Sequence, residues 1–308
     1  MNFPMIKWAK DLFPLCRSLT GEGNRKTIKY FTKLNPEFKI LKFKSGQKVF
    51  DWNIPDEWNV KDAYIQHESG KKYAEFKKNN LHLVGYSIAV NKTIIKAELL
   101  KKIFTEKNQP DAIPYVTSYY NRDWGFCMSE NEKEKLPEGN YKVFINTGFK
   151  KGNLEIAEAS FRGKKKQEIF FSSYICHPSM ANNELSGPIV AMCLINYFSK
   201  MKKLDKTIRF IFIPETIGSI AFLSKNLSYL KKNLVGGFNL TCIGDERQHS
   251  CMFSKYGNSL SDRALVAAYK RLKIKFKRYS FLERGSDERQ YNSPGVDLPI
   301  ASIFRSKY

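Results

Sequence analysis

Residues 167–178 read QEIFFSSYICHP, residues 206–216 read KTIRFIFIPET and residues 236–245 read GGFNLTCIGD. Each is a short, continuous apolar run that ends in a residue able to bind a metal or move a proton: His177, Glu215 and Asp245. Between the first two runs, 186–201 places apolar residues at helical spacing, and 218–230 does the same between the second and third. Strand, helix, strand, helix, strand with short apolar strands is the pattern of a parallel sheet buried on both faces. The expected fold class is therefore α/β, a mostly parallel sheet with helices on both faces. Ligands in such sheets bind beyond the carboxyl ends of the strands, so a His, a Glu and an Asp converge on one edge.

The flanking sequence extends this unit in both directions. Towards the N-terminus, a helix is expected over 3–18 with a break at Pro14, a second over 24–34 capped by Asn24, and a strand over 38–43. From Ser45 the texture changes to short strands and polar turns. An aromatic, Pro-containing stretch covers 47–58, strands are expected at 63–66 and 81–90, and a helix over 93–104. The cluster that includes Tyr119, Tyr120, Trp124 and Phe126 reads either as a satellite core or as a wall of the substrate site. Strands resume at 140–147 and 154–162. The simplest organisation is one α/β domain built from 1–44 and 149–308, with a small β-rich domain, 45–148, inserted between them. Past residue 245, a helix over 260–272, a strand over 276–281, a polar loop over 285–293 and an apolar strand over 298–304 complete the chain. A buried terminal strand is normally followed by a covering helix, so the C-terminus is expected to be truncated.

The formal net charge of +22 raises the question of nucleic acid. The excess is mostly Lys, 40 against 12 Arg, and is spread along the whole chain rather than gathered on one element. A solvated basic surface is expected, with no nucleic-acid partner. No run approaches the roughly 18 apolar residues of a membrane span. Residues 1–19 carry Lys7, Lys10, Asp11 and Arg17 where a signal peptide needs an apolar core. A cytoplasmic protein without a membrane partner is expected, and homo-oligomer formation stays open. The 6 Cys show no paired short spacing, which points to reduced thiols rather than disulfides or a zinc ribbon.

The three strand ends define the chemistry. Imidazole nitrogen and carboxylate oxygen are zinc donors, and a catalytic zinc leaves one position open for water. His177 is the candidate ligand from the first strand and Asp245 the anionic ligand from the third. Glu215 is placed to take a proton from a metal-bound water. The polar loop 181–187, ANNELSG, leads into a helix and can direct oxygen ligands at the same point. In the loop before the last strand, Arg289 can pair with a substrate carboxylate.

His177, the loop NELSG at 183–187, PETIGS at 214–219, Gly244-Asp245 and Gly285-Ser286-Asp287 resemble the ordered motifs of the co-catalytic zinc exopeptidases, the superfamily of bacterial leucyl aminopeptidases and glutamate carboxypeptidases. The whole chain, including FPLCRSLTG at 13–21, is similar to a bacterial aminopeptidase-like family with an inserted small β domain. The resemblance implies that one metal is held by His177, Asn183 and Asp245, with Asn183 where relatives carry a bridging Asp. It implies a second metal held by a Glu at the position of Thr216 and by a His near the C-terminus that has no counterpart here; His67, His82 and His249 do not occupy that place. One zinc ion is therefore expected, bound weakly, with Glu215 as catalytic base. Asp287, Arg289 and Tyr291 fall where relatives line the substrate pocket. The expected activity is a metal-dependent hydrolase that cleaves a peptide or other small-molecule amide. An inactive relative serving as a binding or scaffold module, and an amidase acting on a cell-surface glycan precursor, remain as alternatives.

Overall fold

A computed structural model describes residues 3–35 and 37–307 of the chain. Twelve strands and five helices position the site: β1 (Phe38–Lys44), β2 (Glu57–His67), β3 (Lys72–Tyr73), β4 (Val90–Ile95), β5 (Asn140–Lys150), β6 (Asn153–Phe161), β7 (Lys165–Tyr174), β8 (Lys206–Ile213), β9 (Leu234–Leu240), β10 (Ser250–Met252), β11 (Lys277–Tyr279) and β12 (Ile300–Phe304), with α1 (Met5–Leu12), α2 (Glu22–Leu34), α3 (Ser186–Phe198), α4 (Ile217–Asn233) and α5 (Leu260–Arg271). The main sheet has eight strands in the order β1-β6-β8-β7-β9-β12-β10-β11. Its centre, β8-β7-β9-β12, is parallel throughout.

The sheet is mixed: four of its seven pairings are parallel, but β6 runs antiparallel to both β1 and β8, and β10 antiparallel to β12. The link between β6 and β7 covers only residues 162–164. A crossover between parallel strands needs a dozen or more residues, so the chain reverses direction instead.

Side-chain alternation along β8 shows why this strand is apolar on both sides. Ile208, Phe210 and Phe212 join a core with Trp8 and Leu12 of α1, Ile28 and Phe31 of α2, and Ile189, Met192 and Ile195 of α3. Ile211 and Ile213 point the other way, into a core with Phe222 and Leu230 of α4. That second core runs on without a break into a four-stranded antiparallel sheet, β3-β2-β5-β4, whose Ala63, Ile65, Val143 and Ile145 are buried in it.

Local expectations fail where tertiary partners intervene. Asn24 is not a cap: Gly21 precedes α2, and buried Asn24 Oδ1 accepts from Ser18 N–H at 3.3 Å. Residues 81–90 are not a strand, since Asn79 caps a short 3₁₀ turn at Asn80–His82. The helix expected over 93–104 shrinks to Lys96–Leu100. The β-branched run Val90, Thr93, Ile94 and Ile95 pairs with the edge of β5 instead, as its residue types favour.

One ion pair ties the second sheet to the main one. Glu57, at the start of β2, receives two guanidinium bonds from Arg25 of α2 and accepts from Asn153 N–H at 3.0 Å. Burial works against the charged carboxylate, but Arg25 and the Asn153 amide outweigh it and hold Glu57 below its ordinary range. A depressed acid stabilises the fold fully above its unfolded value and loses that contribution as pH falls through its folded value. Glu57→Gln is therefore expected to lower stability near neutral pH by roughly 2 kcal/mol. In denaturant titrations the gap from wild type should close as pH is lowered towards about 3; a gap independent of pH would refute this role.

Candidate active site

The parallel centre delivers the expected strand ends to one edge. β7 ends just before Cys176-His177, β8 just before Pro214-Glu215, and β9 leads through residues 241–243 to Gly244-Asp245. A π turn at Ala181–Leu185 then feeds α3, a distortion frequent at functional sites. It swings Glu184 back beneath His177. α3 can approach this closely because residue 187 is Gly: a Cβ there would lie 2.2 Å from Leu240 O and 2.5 Å from Ser173 Oγ.

Glu184 is fully buried, and both of its oxygens are committed to His177. Oε1 accepts from the His177 backbone N–H at 2.7 Å, and Oε2 lies 2.7 Å from Nδ1. The other ring nitrogen, Nε2, lies 3.5 Å from Glu215 Oε2. The imidazole is held edge-on by Tyr115 and Tyr174, with ring centroids at 5.0 Å and 5.7 Å. Burial lowers the affinity of the ring for a proton, but Cys176 and Glu184 raise it more, and the net direction is well above the ordinary imidazole range. The Cys176 thiol is pushed up to about 12 by burial. Its Sγ accepts from Glu215 N–H at 3.1 Å.

Glu215 is set by the strand end and by the loop before β12. Ser286 Oγ donates to its Oε1. Burial pushes its carboxyl up, against the opposing pull of His177 and Ser286. The next residue, Thr216, adopts φ 63°, a strained conformation for a β-branched side chain. Asp287 maintains it: its Oδ1 accepts from Thr216 N–H at 2.8 Å and from Ser219 Oγ at 2.9 Å.

Glu215, Thr216 and Arg289 open into a cavity of about 320 Å³ that Leu19, Trp52, Tyr119, Tyr120, Ile217 and Gly285 also line. Of the residues expected to bind substrate, only Arg289 reaches it. Asp287 is buried behind Thr216. Tyr291 is a core residue, fully buried, with its hydroxyl 2.7 Å from Ser172 Oγ and its ring against Phe170.

The other two members of the expected metal trio, Asn183 and Asp245, are both engaged by protein groups in this structure. Asn183 faces Tyr174, whose hydroxyl donates to its Oδ1 at 3.3 Å, and Cys242. Asp245 is filled by protein donors: Asn182 Nδ2 at 2.7 Å, Ser306 N–H at 3.1 Å, Ser306 Oγ at 2.9 Å and Arg247 N–H at 2.9 Å. Burial opposes its charge, and these donors outweigh it and keep the carboxyl below the ordinary range. The other histidines lie elsewhere: His67 and His82 bond to the carbonyls of Glu138 and Cys127, and His249 lies against Arg305.

Cys176, His177 and Glu184 do come together, with ligand atoms all within 4.8 Å of one another. The loop motif contains Glu184 and the strand end contains Cys176, so both were visible in the sequence. Their roles were not, because nothing local says that a π turn brings residue 184 back under residue 177. Arg17 was equally silent. Its buried guanidinium donates to His177 O at 2.9 Å and to Leu12 O at 2.6 Å, tying the end of α1 to the site.

Residues 6–308 match a family model described as "Domain of unknown function (DUF4910)", and the chain belongs to that family. A Clostridium acetobutylicum relative named "Putative polysaccharide biosynthesis protein with aminopeptidase-like domain" is 41% identical over 299 residues, covering 97% of this chain and 68% of the relative. The crystal structure of a "putative peptidase" from Clostridium acetobutylicum, 40% identical, superposes with a TM-score of 0.95 over 99% of this chain and 71% of that one. The zinc aminopeptidase BSAP from Bacillus subtilis shares the fold at a TM-score of 0.66 and 12% identity, over 99% of this chain and 86% of that one. The α/β fold is thus that of the aminopeptidases.

A zinc ion of the kind those enzymes carry can be tested against the donors present. Cys176, His177 and Glu184 offer one sulfur, one nitrogen and one carboxylate, each a usual zinc donor. The set fits one ion in kind. Binding has to displace the Cys176 proton and compete with the Glu184–His177 bond, while buried Arg17 adds a cation nearby, so weak affinity is expected. Elemental analysis of protein equilibrated with zinc should show about one ion per chain, lost in His177→Ala and Glu184→Gln and kept in Asp245→Asn. Loss in Asp245→Asn with retention in Glu184→Gln would instead restore the trio expected from the sequence.

Proposed function

We propose that this chain hydrolyses an amide bond at the cavity beside Glu215, with Glu215 as general base and one metal ion held by Cys176, His177 and Glu184. The observation that carries the reading is the linear array Glu184–His177–Glu215, anchored at its buried end and open to the cavity at the other. A metal ion held by these residues would supply Lewis acidity to the site. Every other task falls to the chain's own residues. Glu215 takes a proton from water as the oxygen attacks the carbonyl carbon, and returns it to the nitrogen as the carbon–nitrogen bond breaks. Water is consumed, and a carboxylic acid and an amine are released.

The environment of Glu215 suits this task. Burial moves its carboxyl towards neutrality, where a proton acceptor and donor works best. The Ser286 hydroxyl orients one oxygen and leaves Oε2 facing His177. Glu184 fixes the His177 ring through Nδ1, which leaves Nε2 facing Glu215. The fold shared with zinc aminopeptidases is consistent with amide chemistry, and the name of the Clostridium acetobutylicum relative joins an aminopeptidase-like domain to polysaccharide biosynthesis.

The engaged carboxylate of Asp245 favours a second reading, a binding module that keeps the fold without the chemistry. Turnover separates the two. Zinc-loaded protein is assayed on aminoacyl anilides and on N-acylated amino sugars, with Glu215→Gln beside it. The expected result is hydrolysis of one class, reduced about a hundredfold or more in the variant while circular dichroism stays unchanged. Equal rates in both proteins would sink the mechanism, and no turnover of any amide would leave the binding module.

A further inference from the structure

The cavity beside Glu215 contains a single carboxylate among its lining residues, and that carboxylate is Glu215 itself. The lining therefore holds no carboxylate besides Glu215 that could pair with the free α-ammonium group of an aminopeptidase substrate. The lining offers a cation instead. Arg289 donates from Nε to Ser286 O at 3.3 Å and from one terminal nitrogen to Thr216 Oγ1 at 3.4 Å. It forms no ion pair among the described residues, and it is exposed. A planar guanidinium in that state is suited to a carboxylate.

Three aromatic rings share the cavity with these charges. Trp52, Tyr119 and Tyr120 line the same cavity and remain 38%, 39% and 56% exposed. Their positions are imposed rather than accidental. Trp52, in a short hairpin with Lys48–Val49, and Tyr120, from a turn, meet with ring centroids at 6.2 Å. Tyr119 holds φ 45°, costly for a residue with a side chain, and its ring packs at 5.5 Å on Tyr86. Tyr86 is itself pinned by the bond its hydroxyl accepts from Leu19 N–H at 2.6 Å. An aliphatic side chain is bound best by an enclosed apolar pocket. Partly exposed flat rings in one cavity with Glu215, Thr216 and Arg289 match a ligand with an apolar face and a polar rim. A sugar ring has that character: its C–H face stacks on aromatics and its hydroxyls point to the edge.

We infer that the substrate is an acidic, N-acylated saccharide, whose ring lies on Trp52, Tyr119 and Tyr120, whose carboxylate pairs with Arg289 and whose amide reaches Glu215. This substrate class rests on the amide-hydrolase reading. Cleavage adds water across the amide, releasing the acyl group as a carboxylate and leaving the amino sugar.

Calorimetry on the full chain as Glu215→Gln, which removes turnover, tests the ligand class. The probes are N-acetylmuramic acid, its counterpart without the carboxylate N-acetylglucosamine, N-acetyl-leucine and leucinamide. The expected order has N-acetylmuramic acid tightest, about tenfold ahead of N-acetylglucosamine, with no binding of leucinamide. Adding Arg289→Met should bring the acidic sugar down to the neutral one and leave the neutral one unchanged. Adding Trp52→Ala should weaken both sugars by about fivefold, and Trp52→Phe should restore most of that loss. Binding of leucinamide without binding of either sugar overturns the inference, as does N-acetyl-leucine binding as tightly as N-acetylmuramic acid, or an Arg289→Met variant that keeps the preference for the acidic sugar. Wild-type protein that binds the acidic sugar but releases no acetate refutes the hydrolase reading alone, whereas hydrolysis of an aminoacyl anilide without sugar binding refutes the substrate class alone.

Discussion

The site depends on one buried contact, the grip of Glu184 on His177. A carboxylate with no exposure is tolerable only if its oxygens are matched by donors. Here both oxygens are matched by the same residue, one through its backbone N–H and one through its ring. The bond ties the end of β7 to the turn before α3, so the turn has to take its π form and α3 has to begin close against β9. Arg17 extends the constraint, because its guanidinium holds the His177 carbonyl and the end of α1 together. The imidazole therefore has one orientation, with Nε2 directed at Glu215.

Glu215 is placed by a different set of forces. The strained Thr216 backbone persists because buried Asp287 receives its N–H and the Ser219 hydroxyl, and Ser286 reaches back to the Glu215 carboxylate. The segment before β12 thus supports the Glu215 carboxylate from behind, while Arg289, in the one-turn helix of the same segment, faces the cavity. Chemistry and support come from neighbouring residues of one segment. The aromatic rings come from elsewhere, from segments associated with the second sheet, and they reach the site because one apolar core joins that sheet to the main one.

Sharing a fold with zinc aminopeptidases does not carry a ligand set with it, since chemistry resides in particular side chains. In this chain the Asp245 carboxylate is engaged by protein donors. Asn182 occupies the space between the loop and the third strand, donating to Asp245 and accepting from Gly244 N–H at 2.7 Å. Cys176, His177 and Glu184 are gathered at the first strand end, with ligand atoms within 4.8 Å of one another.

Much of the scaffold was legible in the chain. Apolar runs of strand length, separated by helical spacing, specify buried strands and covering helices, because burial on two faces and on one face leave different periodicities. The same pattern put His177 and Glu215 at neighbouring strand ends, where the parallel centre of the sheet brings them together. Other assignments failed for physical reasons. The run at 90–95 is a strand because an edge of β5 is free to pair with it. Tyr291 belongs to the core because a one-turn helix directs its ring onto Phe170. Asp245 is engaged because Ser306, sixty-one residues later, reaches its carboxylate. The sequence by itself determined which elements form and which polar residues stand at their ends. Which of those residues face one another was decided only by the tertiary structure, because the aim of a side chain at a strand end is set by donors and acceptors that lie far away along the chain.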